Sequence, residues 1–187
     1  MPQAIAFPSA VPTLVGDHVS LRALSEADIP AWFARATDIE SADLAGDPVP
    51  ASIEEGAGWL QMHRDRFRDR AGIRWAIVPY GSTESVGTIG LNITSAADRV
   101  AEVGYVIGRA HWGRGICTAA GRLVTEYGFE SLGLAEIRAE VLQRNPASIR
   151  VLEKLGFRLD REAPGDPQSG GDDEDCYIYA LAREARG

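Results

Sequence analysis

Between Ile73 and Ile107 the chain alternates large apolar residues with polar or small ones in three successive runs, and this pattern limits the fold more than any other feature. Ile73, Trp75 and Ile77 alternate with Arg74 and Ala76. Ile89, Leu91 and Ile93 alternate with Thr88, Gly90 and Asn92, and Val103, Tyr105 and Ile107 with Glu102, Gly104 and Val106. A period of two puts successive side chains on opposite faces of a sheet, so each run reads as a strand with one apolar face. Gly81-Ser82-Thr83 separates the first two runs, and Ser95 to Arg99 the second two. Connections this short join antiparallel neighbours, because a parallel pair needs a crossover of a dozen residues or more. An antiparallel meander is therefore expected at the centre of the chain.

The flanking segments add helices and further strands. Leu14 to Leu24 alternates around Gly16-Asp17 and reads as a first strand or hairpin. Ser25 is placed to cap a helix with early acids, Asp43 to Pro50 reads as a loop, and Ser52 with Glu55 opens a longer helix. Its apolar stripe holds Trp59, Leu60, His63 and Phe67, where a histidine is more often a satisfied core residue than a ligand. After Gly108 a helical period returns with Ile116, Ala120, Leu123, Val124 and Tyr127, up to about Leu132 and the stop at Gly133. Ala135 to Val141 is a further strand, Ile149, Leu152 and Leu155 mark a second helix, and Phe157–Leu159 and Cys176–Leu181 supply the last strands. The order predicts one mixed α/β (α+β) sheet carrying helices. Residues 1–13 read as a loose leader, 14–183 as a single domain and 184–187 as a tail.

A formal net charge of −8 makes the chain a poor partner for nucleic acid, whose binding depends on Lys and Arg neutralising phosphates. The acidity suits a cationic acceptor such as an amine, and equally suits solubility alone. No apolar run approaches bilayer length, and the N-terminus has neither a basic region nor a continuous apolar core, so a cytoplasmic protein is expected. Cys117 and Cys176 are far apart and form no metal-type spacing.

The chemistry concentrates in Glu102 to Ala120, a strand followed by a glycine-rich turn with Arg109 and Arg114 and then a helix start. Gly113 and Gly115 let backbone N–H groups turn inward, and the helix dipole adds positive potential, which suits phosphate. It is not a Walker loop, since no Gly-Lys-Ser/Thr occurs, and Thr118 stands where a Gly-x-Gly-x-x-Gly motif needs its third glycine. A purely structural turn remains the other reading.

Trp112-Gly-Arg-Gly-Ile-Cys117 resembles the pyrophosphate loop of the GNAT superfamily of N-acetyltransferases. The Glu-x-Gly-Tyr strand before it and Asn145-Pro-Ala-Ser148-Ile-Arg150-Val-Leu152-Glu-Lys154-Leu-Gly156-Phe157 are similar to the branch of Rim-type ribosomal-protein N-terminal acetyltransferases. Leu21-Arg22-Ala23-Leu24 resembles that branch's opening strand, and the likeness runs from about Leu14 to Arg183. It implies a GNAT fold: a mostly antiparallel sheet of about seven strands, helices on both faces, and a splay between strands four and five that receives acetyl-CoA. Val106 and Ile107 would then contact pantetheine, Gly113, Arg114, Gly115, Ile116, Cys117 and Thr118 would cradle the pyrophosphate, and Asn145, Ser148 and Arg150 would line the other side. Trp112 replaces the usual Arg or Gln, and Cys117 the usual Gly or Ala.

On this reading Glu102 accepts the amine proton, directly or through water, against the plainer alternative of a cross-strand surface carboxylate. Ser148 is the candidate donor to the CoA sulfur, because Leu152 stands where many relatives carry a tyrosine acid; its alternative is a helix-start residue satisfying backbone groups. Asn145 caps a helix whatever else it does. Arg150 and Lys154 would meet a phosphate or water. Cys117 at a helix start is either a reactive thiolate or a small residue that simply fits. The acidic stretch Asp166 to Asp175 reads as a solvated loop or a recruiter of basic substrate, with Asp175 the substrate-binding candidate. The implied reaction is acetyl transfer from acetyl-CoA to a primary amine, a protein N-terminus or a small molecule, in a ternary complex without metal, by a monomer or homodimer. The other readings are a catalytically silent acyl-CoA-binding module on the same scaffold and a dinucleotide-binding domain.

Overall fold

A computed structural model describes residues 4–45, 48–165 and 174–183. Its centre is an eight-stranded sheet in the order β1-β2-β3-β4-β5-β6-β8-β7. The first four pairings, among β1 (Leu14–Val15), β2 (Val19–Ala23), β3 (Gly72–Pro79), β4 (Gly87–Ser95) and β5 (Val100–Ile107), are all antiparallel. The expected meander is β3-β4-β5. It speaks against the dinucleotide-binding reading, which needs a sheet of successive parallel β-α-β units, whereas only one parallel pairing occurs among the described residues. After β5, helix α4 (Ile116–Glu130) crosses over to β6 (Glu136–Leu142), which pairs parallel to β5. Helix α5 (Pro146–Lys154) follows, and β7 (Arg158–Ala163) and β8 (Cys176–Ala182) close the sheet as an antiparallel pair.

Three expectations need correction. Among the described residues the strands number eight rather than about seven, because the opening stretch takes the hairpin rather than the single-strand form, turning at Gly16 between β1 and β2. That extra strand moves the splay from strands four and five to β5 and β6. Asp43 to Ala45 are not loop: they close helix α2 (Ile39–Ala45), which follows α1 (Ile29–Ala36) after a break at Thr37 and Asp38. The pair after α5 is also longer than read, since β7 runs on to Ala163. Most of the acidic stretch, 166–173, lies outside the described residues, as does the tail 184–187.

Register assigns the two faces. Ile73, Leu91 and Val103 lie in one cross-strand row and Trp75, Ile89 and Tyr105 in the next, all on the face covered by α4, where Trp75 meets Tyr127 edge-on with ring centroids 5.7 Å apart. Helix α5 packs beside α4 on that face: a methyl at Gly121 would lie 2.5 Å from Leu155. Arg74, Gly90, Gly104 and Glu102 point to the other face, which carries α1, α2 and α3 (Gly56–Arg68). The segment before β1 has no regular element, yet it is not loose. Ala6 N–H donates to Leu132 O at 3.0 Å, Pro12 O accepts from the Trp75 indole at 2.8 Å, and Phe7 packs on Phe67.

The entry to α1 rests on Asp28, which is only 2% exposed. Arg22 on β2 donates to both its oxygens at 2.8 and 2.9 Å, Ser85 Oγ at 2.6 Å and the Ser25 N–H at 2.8 Å. Burial pushes this carboxyl up, but these donors and the Arg22 charge outweigh it and hold the group below the usual aspartate range. A carboxyl lowered in the folded state adds stability above its unfolded value and loses it as pH falls through the folded value. Asp28→Ala strands a charge and a buried hydroxyl, and urea unfolding is expected to show a loss of about 3 kcal/mol at pH 7, the low end for a broken buried pair because Arg22 still reaches water. The deficit relative to wild type shrinks in acid.

Candidate active site

Strands β5 and β6 pair only over Val100↔Glu136, Ala101↔Ile137 and Glu102↔Arg138, then part. From Val103 onward β5 has no strand partner on that side, and a cavity of about 520 Å³ opens in the gap. Glu102, Val106, Ile107, residues 113–118, Asn145, Ser148 and Arg150 all line it, so the structure gathers every expected catalytic and cofactor-binding position around one space. His111 and Lys154 line it too. Asp175 does not: its carboxylate accepts the Gly165 N–H at 3.1 Å and its carbonyl the Gln143 N–H, so it ties the end of the β7–β8 connection to the β6–α5 turn. The expectation that Asp175 binds substrate finds no support in this placement.

The turn into α4 is built for an anion. The Trp112 indole N–H donates to Ile107 O at 2.7 Å and folds the loop back on the end of β5. Gly113 and Gly115 take φ of +72° and +74°, a region that side chains rarely adopt, and open space surrounds both. Gly115 occupies the cap position of α4 with no side chain bonded to the first turn, and no acid lies in that turn. The first-turn N–H groups therefore face the cavity mouth with the positive end of the dipole, beside Arg114. Across the gap, Asn145 caps α5 by accepting the Ser148 N–H at 3.0 Å. This confirms the capping role.

Cys117 sits within this turn, but burial pushes its thiol up to about 12. That burial favours the small-residue reading of Cys117 over a reactive thiolate. Neither cysteine is in a disulfide. Iodoacetamide at pH 8 is expected to leave native Cys117 unlabelled and to label it after denaturation, as read by intact mass and peptide mapping. Rapid native alkylation would contradict this.

Tyr105 is a residue the sequence pattern concealed. Period two places it on the apolar face under α4 and α5, yet its hydroxyl lies 2.7 Å from Ser148 Oγ and donates to Ser148 O at 3.3 Å. Burial drives the phenol far above its ordinary range, against the Ser148 hydrogen bond, so it stays protonated. Glu102 opens on the opposite face. Its carboxyl is raised by burial and by the Glu140 charge and opposed by Arg74. Near it, burial and three arginines lower His63 to about 3, so His63 is a neutral ring packed edge-on against Trp59.

Helix α2 carries no sequence signal of a place in the site, since its end overlaps the proline- and glycine-containing stretch from Asp43 that reads as loop. Its Ser41, Leu44 and Ala45 line the cavity. Ion pairs hold it at both ends: Arg109 reaches Asp38 at 3.3 Å and Glu40 at 3.0 Å, and Arg144 reaches Asp43 at 2.7 Å and also Glu174. Among the described residues no three His, Cys, Asp or Glu side chains stand together to hold a metal, and no helix is long and apolar enough to cross a membrane.

The sequence and the fold both have counterparts in known proteins. The chain is 32% identical over 172 residues to the uncharacterized N-acetyltransferase YoaA of Bacillus subtilis (strain 168), covering 92% of this chain and 97% of YoaA. In structure it is similar to Mycobacterium smegmatis RimJ in complex with CoA-disulfide, with a TM-score of 0.78 and 24% identity over 96% of this chain and 90% of that one. It is also similar to the microcin C7 self immunity acetyltransferase MccE in complex with acetyl-CoA and AMP, with a TM-score of 0.77 and 19% identity over 90% and 94%. Residues 18–158 match the acetyltransferase (GNAT) domain family, and the chain belongs to that family as an acetyl-CoA-dependent N-acetyltransferase.

Proposed function

We propose that this enzyme transfers the acetyl group of acetyl-CoA to a primary amine by direct attack in a ternary complex, with Glu102 taking the amine proton and Ser148 serving the departing sulfur. The observation that carries this reading is the position of the two groups on opposite sheet faces of the same cavity, with the parted strands between them. Val106 and Ile107 offer the β5 edge to the amides of pantetheine, as an added strand would take it. The uncapped first turn of α4, with residues 113–118, takes the pyrophosphate; Asn145 and Arg150 lie along the other wall.

The acceptor enters from the face carrying α1 to α3. Glu102, raised above the ordinary glutamate value, is the better matched base for an ammonium that must lose a proton before it attacks. The nitrogen then bonds to the thioester carbon, the carbonyl electrons move to oxygen, and their return expels the sulfur. Tyr105 and Ser148 form a two-hydroxyl relay on the far face; Tyr105, kept neutral, supports a Ser148 O–H that hydrogen-bonds the thiolate as it leaves. The acceptor is a peptide N-terminus or a small amine, and the setting is the cytoplasm, where two cysteines without a disulfide are at home. A monomer holds all the residues this scheme uses.

Acetyl-CoA at about 100 times its dissociation constant is expected to stabilise the protein by about 2.7 kcal/mol and raise the thermal midpoint by roughly 5–11 °C, with NADH and ATP as controls. With an acceptor amine, Glu102→Gln is expected to lower kcat/KM by about 10²-fold or more, and Ser148→Ala by about 10-fold. Because Glu102 acts as a base, the wild-type rate falls as pH drops through its raised value, an acid limb that Glu102→Gln abolishes. No midpoint change at millimolar acetyl-CoA would remove the donor assignment, and unchanged turnover in Glu102→Gln would remove the base.

A further inference from the structure

Arg74 on β3, Gly90 on β4 and Gly104 on β5 stand directly opposite one another in register, in one row across the sheet. The arginine side chain lies along that row. A Cβ on Gly90 would fall 2.9 Å from its Nε and 3.1 Å from its Cδ, and one on Gly104 would fall 3.8 Å from Nη2. The two glycines thus form a trench, and the guanidinium ends above Gly104, where Nη1 donates to Gly104 O at 3.0 Å. That point is two residues from Glu102 on the same face, and both side chains line the cavity.

The charges around Glu102 make this placement matter. Arg138 of β6 stands opposite it in register but is bonded to Glu136. Glu140, two residues further along β6, adds a like charge. Asn92 of β4 is neutral and accepts from Arg66 of α3 at 3.0 Å. From α3 and α1, His63 is held neutral, with Arg35 and Arg66 among the charges acting on it. Arg74 is the cation whose charge bears on the Glu102 carboxylate.

We propose that Arg74 is a positioning residue, delivered across the sheet by the two-glycine trench to supply the counter-charge that keeps Glu102 an ionised base at the cavity. The proposal rests on Glu102 as the proton acceptor. It sets a cation against the burial and the Glu140 charge that both push the Glu102 carboxyl up, and it explains why small residues occupy both positions beneath the arginine. Arg74 acts through Glu102 and does not touch the reacting atoms.

The test is the titration of the Glu102 side-chain carboxyl by ¹³C NMR in the protein without either substrate, assigned by its disappearance in Glu102→Gln. Arg74→Gln keeps a donor for Gly104 O but removes the charge; it is expected to raise the Glu102 midpoint by about 1 pH unit and to move the acid limb of kcat/KM upward equally. Arg74→Lys is expected to restore both toward wild type, and Glu140→Gln, on an exposed side chain, to lower both. A wild-type midpoint in Arg74→Gln, or an Arg74→Lys midpoint displaced as far as that of Arg74→Gln, would overturn the proposal. Loss of folding in both arginine variants would do the same, in favour of a purely structural role. Full turnover in Glu102→Gln would instead remove the base, while leaving the ionic coupling read by NMR intact.

Discussion

The early end of the β5–β6 pairing is the constraint on which the site depends. A strand inside a sheet normally has both edges hydrogen-bonded, because an unmade backbone bond is costly. Here β5 keeps its β4 partner throughout but loses β6 after Glu102. The gap is opened by structure on both sides: the glycine turn and α4 follow one strand, and the Asn145-capped α5 follows the other. Each leaves the sheet toward the same mouth, so a single space meets a helix dipole, a free strand edge, the Glu102 carboxyl and the hydrogen-bonded hydroxyls of Tyr105 and Ser148.

Helix α2 lines this space on the face of α1 to α3, with Ser41 and Ala42 buried beneath it and ion pairs at both ends. Arg109 belongs to the segment after β5 and Arg144 to the segment after β6, so the paired acids of α2 bridge the two diverging arms. Exposed pairs of this kind are individually weak, about 0–1 kcal/mol each, and are screened by salt. They add little to what the burial of Ser41 and Ala42 contributes, while the opposite side of the cavity rests on Trp112, Asn145 and the buried face of α4.

The donor side of this protein was legible in its residues because it is built from local backbone chemistry. Gly113 and Gly115 announce a turn that side chains cannot easily make, Asn145-Pro146 announces a helix start, and the alternation around Glu102 states which face it takes. The α2 side of the cavity was not legible. Leu44 and Ala45 sit next to a proline- and glycine-containing stretch that reads as loop, and nothing in them signals that α2 lies across the gap. Asp175 looked available in an acidic run, but its carboxylate is spent on a turn. Tyr105 matched an apolar row so well that its hydroxyl passed unnoticed, and only the docking of α5 gave it Ser148 as a partner.

By itself the sequence determined the local states: the strand meander, the glycine-turned helix start, the caps, and the family to which these motifs belong. These follow from preferences that act over a few residues, namely side-chain alternation, φ limits and first-turn hydrogen bonds. Only the tertiary structure decided where the β5–β6 pairing stops, that α2 spans the opening, that Tyr105 meets Ser148, and that Arg74 crosses two strands to reach the neighbourhood of Glu102. Those features join residues 30 or more positions apart, as Arg74 is from Gly104 and Tyr105 from Ser148. Their energies depend on burial and on charges brought together by packing, quantities that do not exist until the sheet and its helices have assembled.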